Sequence, residues 1–169
     1  MKRLAPLFLA VSLAALSACG QQPAKDEAAS TAPEAKPGLT LSEGKLVLPA
    51  VKGNPAGGYF TLINTGDKAV TLAAVSVTGA ARAEMHETTG ESMAPLATLE
   101  IKPGETVKFE RGGKHVMAFE LDPALTAGGT TELTLTFADG DKLSALLKLE
   151  APGGGMEHME GMDHSEHSN

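Results

Sequence analysis

The chain has 169 residues, 42% hydrophobic, 21% charged and 4% aromatic, which is the composition of one globular domain without an apolar run of transmembrane length. Its formal charge is −7, and residues 1–18 hold two of the 14 basic side chains and none of the 21 acidic ones, so the remainder carries −9. Such an acidic chain without a basic stripe lacks the footprint of a nucleic-acid binder and favours cations as partners.

Met1-Lys2-Arg3 followed by the apolar stretch Leu4 to Leu16 reads as the charged and hydrophobic regions of a secretory signal. It ends in Leu16-Ser17-Ala18-Cys19, which resembles the bacterial lipobox, in which the cysteine is acylated and becomes the mature N-terminus. Residues 1–18 are thus expected to be a signal peptide, with Cys19 the lipid attachment. Several acyl chains together give stable anchoring. Export and anchorage place the chain on the periplasmic face of a bacterial membrane, and Gly20 after the cysteine favours the outer membrane. With Cys19 used this way no thiol remains for a disulfide, a redox pair or a thiolate metal cage.

Residues 19–38 are rich in Pro, Ala, Ser, Thr and Glu, without apolar periodicity, and read as a flexible tether. From 39 to 150 the pattern changes to short alternating segments bounded by Gly, Pro, Asn and Asp. The expected strands are Leu39–Leu41, Lys45–Leu48, Gly58–Ile63, Val70–Val75, Ala83–His86, Thr98–Ile101, Thr106–Phe109, Val116–Leu121, Thr131–Phe137 and Leu143–Leu149. Turn chemistry lies between them, as in Lys102-Pro103-Gly104-Glu105 and Arg111-Gly112-Gly113-Lys114. The expectation is an all-β sandwich. Residues 151–169 have no core-forming pattern and read as a disordered, metal-seeking tail carrying Met156, His158, Met159, Met162, His164 and His167.

All five histidines and six of the seven methionines fall within residues 85–117 and 156–167, the seventh being Met1. Core-filling methionine would also appear among the other strands. Within the domain the group is His86, Met93, His115 and Met117. His115 and Met117 flank Val116, and at strand spacing i and i+2 they project from one face. The segment Thr88–Ser92 returns the chain from His86 to Met93. Met85, next to His86, would face the opposite side of the sheet and reads as core. Two imidazoles with two thioethers make a soft site that selects Cu(I). On composition alone the alternative stands beside it: two surface histidines, with methionines filling a core edge.

These residues resemble the PCuAC family of periplasmic copper chaperones, whose motif runs His, a spacer, Met, twenty-one residues, then His-x-Met. Here Met93 and His115 enclose the twenty-one residues 94–114, and Met117 completes His-x-Met. The framing segments Gly57–Asp67, Glu84–Thr88, Ile101–Glu105, Gly112–Met117 and Leu133–Phe137 are similar too, so the resemblance covers roughly residues 39–150. One departure is the six-residue spacer between His86 and Met93, shorter than usual in the family, which makes Met93 the least secure ligand. The resemblance implies a cupredoxin-like Greek-key β-sandwich that holds Cu(I) at an exposed edge, and the domain is expected to be monomeric. It also implies delivery to the dinuclear copper centre of cytochrome c oxidase, or to another periplasmic copper protein. A blue-copper electron carrier would need a thiolate, which this domain lacks.

The tail adds a second expectation, the collection of Cu(II) or Cu(I) beside the folded site. The competing reading is therefore an envelope copper-sequestering or resistance lipoprotein acting mainly through the tail. A purely structural lipoprotein is the blandest option. No paired catalytic acids, no nucleophile beside a base and no phosphate loop stand out, so an enzyme is not expected.

Overall fold

The computed structural model describes residues 35–153; the signal segment, Cys19, most of the tether and the His/Met-rich tail lie outside the described residues. Ten strands follow in order: β1 (Leu39–Val47), β2 (Ala56–Asn64), β3 (Val70–Val77), β4 (Ala80–Thr89), β5 (Ser92–Pro95), β6 (Leu99–Ile101), β7 (Thr106–Phe109), β8 (Lys114–Leu121), β9 (Thr130–Phe137) and β10 (Lys142–Glu150). Hydrogen bonds link them as β5-β4-β8-β7-β2-β1-β10-β9-β3-β6, with β8 also pairing with β2. The architecture is all-β, as the alternation of the sequence predicts.

β1 joins the two halves. It pairs antiparallel with β2 along its length and parallel with β10 through Lys45–Val47. The sequence suggests two segments here, and the structure makes them one strand with an irregularity between Ser42 and Lys45, where Glu43 has φ 57°. Gly44 permits this crossing: a Cβ there would stand 2.8 Å from Leu147 Cδ2 and 3.1 Å from the Leu146 carbonyl oxygen.

Period-two burial drives the rest. On β2 the residues Ala56, Phe60, Leu62 and Asn64 point inward, and on β9 Leu133, Leu135 and Phe137 do so. Both halves close on one core, in which the rings of Phe60 and Phe109 stack at 4.2 Å between centroids. Among the polar side chains buried with it, Asn64 and Lys36 are fully partnered. The Asn64 amide donates to the carbonyls of Lys68 and Ile101, at 2.8 and 3.0 Å, and accepts from the Gly66 amide at 3.0 Å. Lys36, in the stretch whose composition reads as tether, places its ammonium 2.6 Å from Asp139 and 2.5 Å from Asp141, beside the Phe137 ring. Burial pulls its pKa down, but the two carboxylates outweigh that and leave it raised above 10.5.

Candidate metal centre

The expected ligands sit on the outer face of the β5-β4-β8 edge. β7 and β8 both run antiparallel to β2 and follow one another along it, β8 against Ala56–Gly58 and β7 against Phe60–Ile63. Between them Glu110–Gly113 turns tightly, helped by Gly112 at φ 77°, with the Gly113 amide donating to the Glu110 carbonyl. Where the sequence suggests a turn through Lys114, β8 already begins at that residue, so His115 is held in a ladder.

β4 pairs with β8 along most of its length, and the register sets His86 opposite His115, Glu84 opposite Met117 and Met85 opposite Val116. Alternation then divides the residues. Met85 and Val116 enter the core, as expected for Met85, while His86, His115, Met117 and Glu84 share the outer face. The two imidazoles lie 6.0 Å apart between centroids, inclined by 29°. A residue pair directly opposite in an antiparallel ladder is the closest a sheet can bring two side chains, and Met117 stands one step along the same row.

Met93 is placed differently. A hairpin with Gly90 at φ 62° returns the chain, and Met93 pairs with Thr88 on the short edge strand β5. This puts it on the same face, diagonal to His86 and 52% exposed. Met117 is level with Glu84 and Met93 with Thr88, four residues along β4, about 13 Å at the rise of a strand. The compact set is therefore His86, His115 and Met117, with Met93 at the margin. The short spacer noted in the sequence is the physical cause, because it forces a tight hairpin instead of a loop that could reach over the histidines.

The polar environment differs between the histidines. His115 is half-buried, and its Nδ1 lies 2.9 Å from the Gly113 carbonyl, which also accepts the Thr88 amide at 3.1 Å. His86 is 9% exposed; its Nε2 lies 3.2 Å from Glu84 Oε2, and its Nδ1 is buried with no hydrogen-bond partner. The hydrogen bond with His86 holds the Glu84 carboxyl below its ordinary pKa, with the Arg82 guanidinium adding to it against a smaller opposing effect of desolvation. Arg82 in turn bonds Glu84 and rests over the Phe119 ring at 3.7 Å.

Sequence reasoning missed two neighbours. Glu84 figured only as framing, although its i−2 spacing from His86 already placed it on the same strand face. Tyr59 was the other. Gly57 pairs with Met117, and the Tyr59 hydroxyl lies across Gly57, 2.6 Å from where a Cβ would stand. Glycine at 57 thus lets the only tyrosine of the chain lie flat beside the Met117 row. Among the described residues no three His, Cys, Asp or Glu side chains gather in the manner of a zinc-type cage.

This arrangement is carried on a known fold. The copper-bound PCuAC domain from PmoF2 superposes with a TM-score of 0.61 at 21% identity, over 72% of this chain and 99% of that one. The apo PCuAC domain from PmoF1 gives 0.60 at 24%, over 72% and 100%. The solution structure of CuI-DR1885 from Deinococcus radiodurans gives 0.55 at 24%, over 80% and 89%. The chain thus has the cupredoxin-like β-sandwich of PCuAC domains. The family model described as "Putative lipoprotein LpqE-like" matches residues 33–149, and the chain belongs to that LpqE-like family. No curated protein matches it in sequence.

Proposed function

We propose that the domain binds one Cu(I) through His86, His115 and Met117, with Met93 as an outlying fourth ligand, and passes it to another copper protein without catalysing a reaction. The cross-strand pair His86/His115 with Met117 in the same row carries this reading. Imidazole and thioether donors without thiolate suit Cu(I) over harder divalent ions. The fold shared with a PCuAC domain described as copper-bound, and with CuI-DR1885, supports it. A buried imidazole nitrogen without a partner also fits a ligand role, since such an atom is costly unless something satisfies it.

Thioethers at a sheet surface release an ion stepwise to incoming ligands, so the acceptor we propose is the copper-receiving subunit of cytochrome c oxidase or another periplasmic copper protein. Acylated Cys19 would hold the chain on the periplasmic face of the membrane, the outer one by preference. Met156, His158, Met159, Met162, His164 and His167 would collect Cu(II) or Cu(I) near the domain. If that tail dominated, the protein would sequester copper in the envelope instead of delivering it.

Competition of the mature chain against a chromophoric Cu(I) chelator tests this, beside the His115→Ala, Met117→Ala double variant and a chain ending at Gly153. One tight Cu(I) lost in the double variant and kept in the shortened chain supports the folded site. Equal binding by the double variant and the wild type overturns it and transfers the function to the tail.

A further inference from the structure

The two facing histidines differ in which ring nitrogen is occupied. On His115, Nδ1 lies 2.9 Å from a backbone carbonyl, which can only accept, so Nδ1 carries the proton and Nε2 keeps the lone pair. On His86, Nε2 lies 3.2 Å from the Glu84 carboxylate, also an acceptor, so there Nε2 carries the proton and Nδ1 keeps the lone pair. That Nδ1 is the one buried side-chain nitrogen or oxygen among the described residues with no hydrogen-bond partner. A lone pair so placed has no proton to lose and no water to meet.

We infer that Glu84 is a positioning residue for copper, holding His86 in the Nε2–H form so that Nδ1 faces the ion, while the Gly113 carbonyl holds His115 in the opposite form so that Nε2 does. The inference deepens the copper reading and rests on it for the identity of the ion. Three observations and one general rule converge on it. Glu84 stands on the ligand face directly opposite Met117, so it reaches His86 along its own strand without blocking the cross-strand pair. Arg82 bonds the carboxylate and is itself laid over Phe119, which fixes where the carboxylate points. Gly113 also accepts the Thr88 amide, so the carbonyl that orients His115 is tied to β4, the strand that carries His86. A carboxylate or carbonyl behind a ligating imidazole is the usual means of fixing its tautomer and raising its basicity, and loss of such a partner commonly weakens metal binding about 10–100-fold.

Long-range nitrogen–proton NMR on the copper-free chain, at about pH 8 where an ordinary imidazole is neutral, reads the tautomers directly. The expected spectrum has His86 protonated at Nε2 with a protected proton signal, and His115 protonated at Nδ1. In Glu84→Ala the His86 proton signal disappears into solvent exchange and Cu(I) affinity falls about 10–100-fold. In Glu84→Gln, whose amide oxygen still accepts, both are restored to within a few-fold of wild type. A proton on Nδ1 of His86, or an alanine variant that matches wild type in signal and affinity, overturns the assignment. Opposed tautomers in a wild-type chain that binds no Cu(I) overturn the copper reading alone.

Discussion

Five polar side chains are buried among the described residues, Lys36, Asn64, His86, Thr131 and Ser144, and they divide in two contrasting ways. Asn64 and Lys36 have every polar atom answered: Asn64 by two carbonyls and an amide, Lys36 by two carboxylates. His86 is nearly as buried, yet one of its nitrogens is unanswered. A satisfied buried polar group stabilises the fold or costs it little, whereas an orphaned one destabilises it and persists where something else makes use of it. The contrast separates satisfied from orphaned burial, which exposure alone does not, for Met85 and His86 are neighbours of similar exposure, 4% and 9%, on opposite faces of one strand.

The largest expected effect falls on the orphaned side. His86→Phe should lower Cu(I) affinity at least about 100-fold, equal to about 2.7 kcal/mol, while urea unfolding shows stability unchanged or raised by up to about 1 kcal/mol because the orphaned nitrogen is gone. A loss of stability as large as that from removing Asn64 would make His86 structural and abolish the contrast. The opposite outcome is expected at Asn64. Asn64→Ala removes the amide that donates to the Ile101 and Lys68 carbonyls, while the Gly66 amide keeps its second acceptor, the Gly38 carbonyl, and the substitution should cost about 2–4 kcal/mol, with Cu(I) affinity within two-fold of wild type.

Tyr59 sharpens the location of the site. The chain has one tyrosine and no tryptophan, so its ultraviolet emission reports a single ring lying beside the Met117 row. Emission should change progressively up to one equivalent of Cu(I) and then level, and should stay flat in the His115→Ala, Met117→Ala variant.

The smallest effect concerns Lys36. Asp139 is held below its ordinary 3.8 chiefly by the Lys36 hydrogen bond, so its contribution is complete above that pH and is lost as the pH falls through the depressed value. Lys36 is raised above 10.5, so its contribution is complete below 10.5 and lost as the pH rises through the elevated value. Urea unfolding across pH should therefore show a shallower acid limb for Lys36→Met than for wild type, because without the ammonium Asp139 returns towards its ordinary value. Identical limbs would mean that solvent screens this pair completely.

Much of the fold was legible because its signal is local. Alternation along Tyr59–Ile63 and Thr131–Phe137 predicts strands, since one side of each must enter a core, and the Gly and Pro clusters mark where the chain turns. β5 escaped because four exposed residues have no alternation to show; only pairing with β4 makes them a strand. Lys36 escaped because its partners, Asp139 and Asp141, lie more than a hundred residues away.

The site divides along the same line. Chemistry and face belong to the sequence: which residues are soft donors, that His115 and Met117 share a side, and that Met85 and His86 do not. The tertiary structure alone decided that His86 stands opposite His115, because cross-strand register depends on how β4 slides against β8 and no local pattern records it. It also decided that Met93 lies at the margin, and which nitrogen of each imidazole meets an oxygen, since these follow from a hairpin's reach and from hydrogen-bond partners that only the folded sheet assembles.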